Sequence, residues 1–522
     1  MSHLLTISDA IATHARLTPN KLGTRDSSRE LTYAQWDERA SRLAAGLMDL
    51  GLKKGDRVAV LAYNCIEWME IYVGLARAGL VAVPLNFRLT APEIAYILED
   101  AEAAALICGA EFVDTVNGIR TGLPLLQGRC VVIGDGVEAW TGYESLVARG
   151  RADLEFEAVR PEDMCALMYT SGTTGRPKGA IRNHAGSTLI ALATALEMGF
   201  TRDDNALLVM PMCHANSLYF GTTFMHMGAT VVVDDRRSFS PEALLATLAK
   251  DRITFTSLVP THYIMVLALP EEVKARYDMG SVGKLMISSA PARKDTKLAI
   301  MEYFRNGKLY ELYGSTEAGW VTLLRPDEQL VKLGSVGREW AGSGAIRLLD
   351  VDGCEVPDGE VGELFSRTTY VFDGYWKNDA KTREAFRGEW CSVGDMARRD
   401  ADGYIWLVDR KSNMIISGGE NIYPSEVEGV IGSHPKVKDV AVIGIPHEKW
   451  GETVQAVIVP HDGQQIAVEE IEEWCRQRLA GFKCPRSVLF IADRDMPRTA
   501  TGKILHRHLR QRMVASESAI AA

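Results

Sequence analysis

Positive charge is in deficit in this chain: 58 Lys and Arg stand against 68 Asp and Glu, a formal net charge of −10. That balance offers no broad basic surface for nucleic acid or anionic lipid, so a phosphate-bearing ligand must be met by a few local groups. Paired cysteines are missing too. The nine cysteines are scattered and odd in number, with no Cys-x-x-Cys. Neither a zinc site nor a disulfide scaffold is indicated, and a reducing cytoplasm is expected. No apolar run approaches the length of a membrane span. Met1-Ser2-His3-Leu4-Leu5 lacks the basic and apolar regions of a secretory leader. Internal repeats and low-complexity tracts are absent. A Walker A loop is absent as well. Gly172 is followed by Thr-Thr-Gly-Arg-Pro-Lys, which puts the lysine at the wrong spacing for a P-loop NTPase.

What is present is an ordinary globular composition, 47% hydrophobic and 24% charged, over 522 residues. That length implies two to four domains or subdomains. Residues 31–50 place Trp36, Ala40, Leu43, Ala44 and Leu47 on one helical face, with Gly51 as a stop. Strands at 57–62, 81–85 and 104–108 alternate with helices at 66–78 and 92–102. Strands at 206–210 and 230–233 resume the pattern. The expectation is an α/β fold with a largely parallel sheet. Around 334–410, Asp-Gly turns and short strands suggest a small β-rich subdomain. Residues 411–522 read as a compact α+β unit, with a Ser-x-x-Glu capping box at Ser425–Glu428. The domains expected are 1–410 and 411–522, joined at Arg410–Ser412.

The densest chemistry lies at Met168-Tyr169-Thr170-Ser171-Gly172-Thr173-Thr174-Gly175-Arg176-Pro177-Lys178-Gly179. It holds four Ser/Thr hydroxyls, three glycines and one lysine. Glycines let the backbone turn and approach a ligand, and successive N–H groups in such a turn suit an anion. Cys165–Met168 reads as a strand into this loop and Ile181–Phe200 as a helix out of it, the arrangement of a phosphate cradle. An exposed polar turn is the commonplace alternative.

This stretch resembles the phosphate-loop signature of the adenylate-forming superfamily, which includes acyl-CoA synthetases, peptide-synthetase adenylation domains and luciferases. The resemblance implies a large N-terminal domain with αβ-layered sheets and a β-rich subdomain, then a small mobile C-terminal domain. It implies ATP contacts at Thr170, Ser171, Gly172, Thr173, Thr174, Lys178, Ala290, Pro291, Tyr313 and Gly314. Glu311-Leu312-Tyr313-Gly314-Ser315-Thr316-Glu317 is similar to its Tyr-Gly-x-Thr-Glu motif. That match makes Glu317 a Mg²⁺ ligand with Thr173, and puts Thr316 on the α-phosphate; hard oxygen donors are what Mg²⁺ takes. Asp395, in Trp390–Asp395, and Arg410 are matched to ribose contacts. Ser412 falls at the hinge, where relatives carry Asp or Lys. Pro497–Ile504 resembles the C-terminal Pro-x₄-Gly-Lys motif and makes Lys503 the adenylating lysine. A cation there offsets charge growing in the transition state.

Met210–Ser217 resembles the acyl-site motif, with His214 beside the substrate carboxylate. Ser217, Tyr219, Tyr263, Gly314 and Trp320 are the further acyl contacts. Gly418 and Gly419 match the segment lining the pantetheine tunnel, and Arg88, Trp450 and Lys483 fall where CoA ligases meet the CoA nucleotide. The implied activity is an AMP-forming carboxylic acid–CoA ligase using ATP, Mg²⁺ and coenzyme A. Its acid is apolar, a medium- or long-chain fatty acid or an aryl or cyclic monocarboxylic acid. The alternative is a stand-alone adenylating enzyme loading a carrier protein. Ala215 stands where peptide-synthetase domains place an Asp for the α-amino group, which argues against an amino acid. A monomer or homodimer is expected, with no nucleic-acid partner.

Overall fold

The computed structural model describes residues 5–134, 137–170, 177–290, 292–417, 420–499, 502 and 504–521. The chain divides into two compact units, residues 1–346 with 366–391, and residues 347–365 with 392–522.

The first unit is built on two large sheets, one of nine strands and one of eight. In the nine-stranded sheet a parallel run of Thr230–Val233, Asn205–Leu208, Phe255–Leu258, Lys284–Ser288 and Lys308–Ser315 is continued by antiparallel Gly319–Leu324. In the eight-stranded sheet Arg57–Leu61, Val81–Pro84 and Ala103–Gly109 run parallel. The two-residue period of a strand explains the layering. Ala206, Leu208 and Met286 share one core with Val58, Val60, Ala105 and Ile107 of the other sheet. Leu207, Leu285 and Ile287 point to a second core, and Ala59, Leu61, Leu106 and Cys108 to a third. Strands buried on both faces read as continuous apolar runs, as parallel sheets require.

The shared core is filled by helices, including Tyr33–Asp49, Glu67–Ala78, His184–Met198 and Ala215–Met227. The first is the expected amphipathic helix: Trp36, Ala40, Leu43, Ala44 and Leu47 are all fully buried. Thr32 caps it by accepting from the Gln35 N–H, and Gly51 follows its end at φ +82°. Gly79 ends the second in the left-handed conformation that glycine adopts without strain.

The second unit holds an antiparallel four-stranded sheet, Arg347–Leu349, Val361–Phe365, Asp395–Arg399 and Ile405–Arg410. It also holds a five-stranded sheet around the hairpin Val437–His447/Gly451–Pro460, with the helices Pro424–Gly432 and Val468–Arg476 packed in the same core. The segment 334–410 is therefore divided between the units, and Arg410–Ser412 lies within the second, after its four-stranded sheet. The capping box at Ser425–Glu428 does not form. Helix Pro424–Gly432 begins at its proline; the Asp409 carboxylate accepts from the Ser425 N–H at 2.8 Å, and the Ser425 hydroxyl donates to Val408 O. A carboxylate from a neighbouring strand has displaced the local cap. Among the described residues, no helix is long and apolar enough to cross a membrane.

Candidate active site

Strand Met164–Thr170 leads into the phosphate-loop stretch, and the chain returns antiparallel as strand Lys178–Asn183, with Thr170 opposite Lys178. The expected strand–turn–helix cradle is corrected here. Ile181, Arg182 and Asn183 belong to the returning strand, and the helix starts at His184. Asn183 caps it, its side chain accepting from the Gly186 N–H at 2.7 Å. The described residues on either side of the loop are thus two paired antiparallel strands, and the helix begins only after the second. Ser171, Gly172, Thr173 and Thr174 lie outside the described residues.

Glu317 is held against this hairpin. Its carboxylate Oε1 accepts from the Tyr375 hydroxyl at 2.8 Å and the Thr170 hydroxyl at 3.2 Å. Its carbonyl accepts from the Phe372 N–H at 2.8 Å. The Lys178 ammonium lies 4.0 Å from the centre of the Tyr375 ring. Burial lowers the Lys178 pKa from its ordinary value, while the Glu317 carboxylate pulls it back up. A carboxylate, a hydroxyl and a lysine thus meet at the mouth of the loop. Among the described residues no three His, Cys, Asp or Glu side chains form a metal cluster. Glu317 and Thr170 nonetheless supply hard oxygens that fit Mg²⁺, a cation that keeps water and phosphate as its other ligands.

The turn that carries Glu317 follows strand Lys308–Ser315. Only glycine fits at 314, where a Cβ would lie 2.3 Å from the Gly319 carbonyl oxygen. The Ser315 hydroxyl accepts from the Ala318 N–H at 2.9 Å and closes the turn. Thr316 O accepts from the Tyr219 hydroxyl at 3.4 Å. Tyr313 is half-buried on the same strand. Just after the neighbouring strand, Ser289 sits at φ +69° before Ala290, a conformation costly for a side-chain-bearing residue. Pro291 lies outside the described residues.

His214 flanks the start of helix Ala215–Met227, after strand Asn205–Leu208. Burial, with the Arg88 charge adding to it, lowers its pKa to about 4. The imidazole is therefore neutral near pH 7, and its Nε2 is enclosed without a partner among the described residues. Asn64 fixes the segment before it, donating to Met210 O at 3.1 Å and accepting from the Met212 N–H at 2.8 Å. Tyr219 meets Trp320 edge-on at 5.2 Å, and Phe220 lies 5.4 Å from the same indole. Trp320 Nε1 donates to the Thr194 hydroxyl at 3.0 Å. Ser217 turns its hydroxyl back to Met210 O at 2.7 Å. Tyr263 is not brought to this group. Its hydroxyl donates to Met286 O at 3.0 Å, and its ring fills the core on the other face of the sheet, with Leu258 and Ile287. Arg88 is exposed, its guanidinium 5.7 Å from the Phe87 ring.

In the second unit Asp395 and Arg410 are opposite one another in register and form an ion pair at 2.9 Å. Ser412 is exposed. Trp450 has two cations near its ring, Lys449 at 4.8 Å and Arg486 at 5.2 Å from the ring centre. Lys483 pairs with Glu426 at 2.7 Å. Gly418, Gly419 and Lys503 lie outside the described residues.

Three residues with a hold on the first unit's site carry no motif: Tyr375, Arg182 and Asn64. Tyr375 reaches Glu317 from 58 residues away, which no local pattern discloses. Asn64 follows a parallel strand at its carboxyl end, where α/β sheets place ligands, and that position was a readable signal.

Known proteins resemble this chain over most of its length. The family model "AMP-binding enzyme" matches residues 11–376, and "AMP-binding enzyme C-terminal domain" matches 426–503. A feruloyl-CoA synthase from Amycolatopsis sp is 38% identical over 500 residues, covering 95% of this chain and 97% of the relative. An indoleacetate–CoA ligase from Aromatoleum aromaticum is 34% identical, covering 97% and 98%. The crystal structure of the anthranilate CoA ligase AuaEII in complex with anthranoyl-AMP superposes with a TM-score of 0.90 at 28% identity, covering 99% of each chain.

Proposed function

The chain belongs to the family of AMP-binding enzymes, and on that premise we propose how its own residues divide the work. The enzyme is an AMP-forming carboxylic acid–CoA ligase that uses ATP, Mg²⁺ and coenzyme A. A carboxylate oxygen of the acid attacks the α-phosphorus of ATP, and the bond to pyrophosphate breaks. The sulfur of CoA then attacks the acyl carbon, its proton is lost, and AMP leaves.

The observation that carries the assignment is the meeting of Glu317, Thr170, Tyr375 and Lys178 at the loop mouth. Lys178 faces the negative charge of the β- and γ-phosphates. Thr316 contacts the α-phosphate, and Tyr313, Gly314 and Ala290 border the nucleotide. Glu317, with Thr173, would hold Mg²⁺, which would neutralise phosphate charge there. Neutral His214 orients the acid by a hydrogen bond and adds no charge. Asp395 and Arg410 take the ribose hydroxyls. Lys503 serves the adenylation step alone, and Gly418, Gly419, Arg88, Trp450 and Lys483 serve CoA, with Ser412 as the hinge.

The acid is an aromatic or cyclic monocarboxylic acid in this reading. The buried Tyr219–Phe220–Trp320 group supports it as flat, apolar surface in which Tyr219 and Phe220 belong to the helix that His214 precedes. The names of the relatives, feruloyl, indoleacetate and anthranilate, point the same way. Nine free cysteines support a cytoplasmic setting.

The test is pyrophosphate release with Mg-ATP across a panel of aryl, cyclic and alkyl acids, with and without CoA, following AMP and thioester together. CoA-dependent turnover on aryl acids is expected. Release unaffected by CoA, with acyl-AMP retained, would instead indicate a carrier protein as acceptor, and preference for long alkyl acids would overturn the aryl assignment. Lys503→Ala should abolish adenylate formation and leave thioester formation from supplied acyl-AMP. Equal loss of both half-reactions would remove Lys503 from its assigned role.

A further inference from the structure

Strand Lys178–Asn183 carries two cations on one face, because Lys178, Ala180 and Arg182 alternate with Gly179 and Ile181. The first is Lys178 at the loop. The second, Arg182, is 1% exposed. Its Nη1 donates to the carbonyl oxygens of Thr316 at 3.5 Å and Glu317 at 3.4 Å. Its guanidinium lies 5.3 Å from the centre of the Tyr219 ring, and Tyr219 itself donates to Thr316 O. Nε and Nη2 have no hydrogen-bond partner among the described residues.

A guanidinium stays charged at every accessible pH. Burying one without a carboxylate partner is costly, so packing alone gives no reason for Arg182 to be here. Its contacts do give one. Both of its acceptors are backbone carbonyls of the one turn that carries the metal-ligand candidate. The same turn is also held by Phe372 N–H on the Glu317 carbonyl and by the Tyr375 hydroxyl on the Glu317 carboxylate.

We propose that Arg182 is a positioning residue for the Thr316–Glu317 turn: a fixed cation that docks both carbonyls, so that divalent-metal binding depends on a side chain that never touches the metal. The inference rests on the reading of Glu317 as the Mg²⁺ ligand. It extends the loop's charge along the strand, with Lys178 facing the phosphates and Arg182 facing the carboxylate's backbone.

The test uses the full-length enzyme with a non-hydrolysable ATP analogue and reads Mn²⁺ binding by electron paramagnetic resonance, beside both half-reactions. Arg182→Gln keeps donors for the carbonyls and removes the charge; Arg182→Lys keeps the charge with fewer donors. Arg182→Gln should weaken Mn²⁺ binding by about tenfold, the scale of one charge-assisted hydrogen bond. Thioester formation from supplied acyl-AMP should fall less than adenylate formation, since that step does not use the metal carboxylate. Arg182→Lys should retain most of the Mn²⁺ affinity.

Wild-type Mn²⁺ affinity in Arg182→Gln overturns the proposal, as does a proportionate loss of both half-reactions in Arg182→Lys, which reads a merely structural role even where Arg182→Gln fails to fold. Glu317→Gln is the separate control. If it binds Mn²⁺ like wild type, the metal-ligand reading falls, and a shift in Arg182→Gln alone would place the effect elsewhere and overturn the proposal too. If Glu317→Gln shifts and Arg182→Gln does not, only the Arg182 proposal falls.

Discussion

The two large sheets of the first unit bring charge to the site in opposite ways. In the nine-stranded sheet the buried charge is matched internally. Lys297 and Glu311 pair at 2.6 Å with almost no exposure, tying helix Lys294–Tyr303 to the strand that leads to Glu317. In the eight-stranded sheet the charge, buried at Arg182 and half-buried at Lys178, is left open. Arg182 has carbonyls for partners and Lys178 an aromatic ring. The first sheet places a carboxylate by rigid packing, and the second supplies cations that, in the proposed function, serve the nucleotide and the turn carrying that carboxylate. A site for a polyanion needs both, because cations paired in advance would have to be released before they could bind phosphate.

The strongest break in this contrast is Lys297→Met. It strands Glu311, whose pKa burial already raises and only Lys297 lowers. Removing one partner of a buried pair costs about 3–5 kcal/mol. Urea unfolding should show a loss of that order, and Lys297→Met/Glu311→Leu should recover most of it. A single variant as stable as wild type would mean that the pair is not the self-contained unit described.

Next in size is Tyr375→Phe, which removes the 2.8 Å hydrogen bond to the Glu317 carboxylate. A bond to a charged group is worth about 1.5–3 kcal/mol, so acyl-adenylate formation should fall roughly tenfold to a hundredfold by the usual conversion. Thioester formation from supplied acyl-AMP should be spared. Equal loss in both would show that Tyr375 supports the fold and not the carboxylate.

The same contrast separates what the sequence discloses from what it hides. Period and punctuation disclose the Trp36 helix, the Gly79 stop and the parallel strands, since each is set by neighbours in the chain. The hairpin is misread as strand–turn–helix because Ala180-Ile181-Arg182-Asn183 puts a charge at an inward position, where alternation demands an apolar residue. Asn183 carried the correct helix-start signal. The resemblance groups Tyr263 with Tyr219 and Trp320 as acyl contacts, yet which sheet face a helix covers is decided by packing. Glu317 and His214 stand out in the sequence through the motifs they sit in. Their holders, Tyr375, Arg182 and Asn64, meet them only in three dimensions.

A smaller effect compares one histidine from each side. His184, just after the hairpin, and His214 both have their pKa lowered to about 4 by burial, against about 6.5 in an unfolded chain. The unfolded state therefore binds more protons between these values, and stability falls as pH drops from 6.5 towards 4. Each group contributes a slope of up to about 1.4 kcal/mol per pH unit. His184→Gln should flatten the curve of unfolding free energy between pH 6.5 and 5 by about that much. An unchanged slope would mean that His184 is protonated in the folded enzyme. By the same sign, the KM for the acid should show no histidine titration between pH 6 and 8.

The smallest effect tests where packing ends and recognition begins. Ser217 belongs to the acyl-site motif, yet its hydroxyl donates to Met210 O and is almost fully buried. It anchors the strand end that presents His214. Ser217→Ala should cost about 1 kcal/mol, one ordinary hydrogen bond, and leave the ranking of acids unchanged. His214→Ala should disturb acid binding and selectivity with less effect on stability, because its Nε2 has no protein partner to lose among the described residues. If Ser217→Ala reorders the acids, the serine hydroxyl faces substrate during turnover, and the strand end is a mobile part of the acyl site.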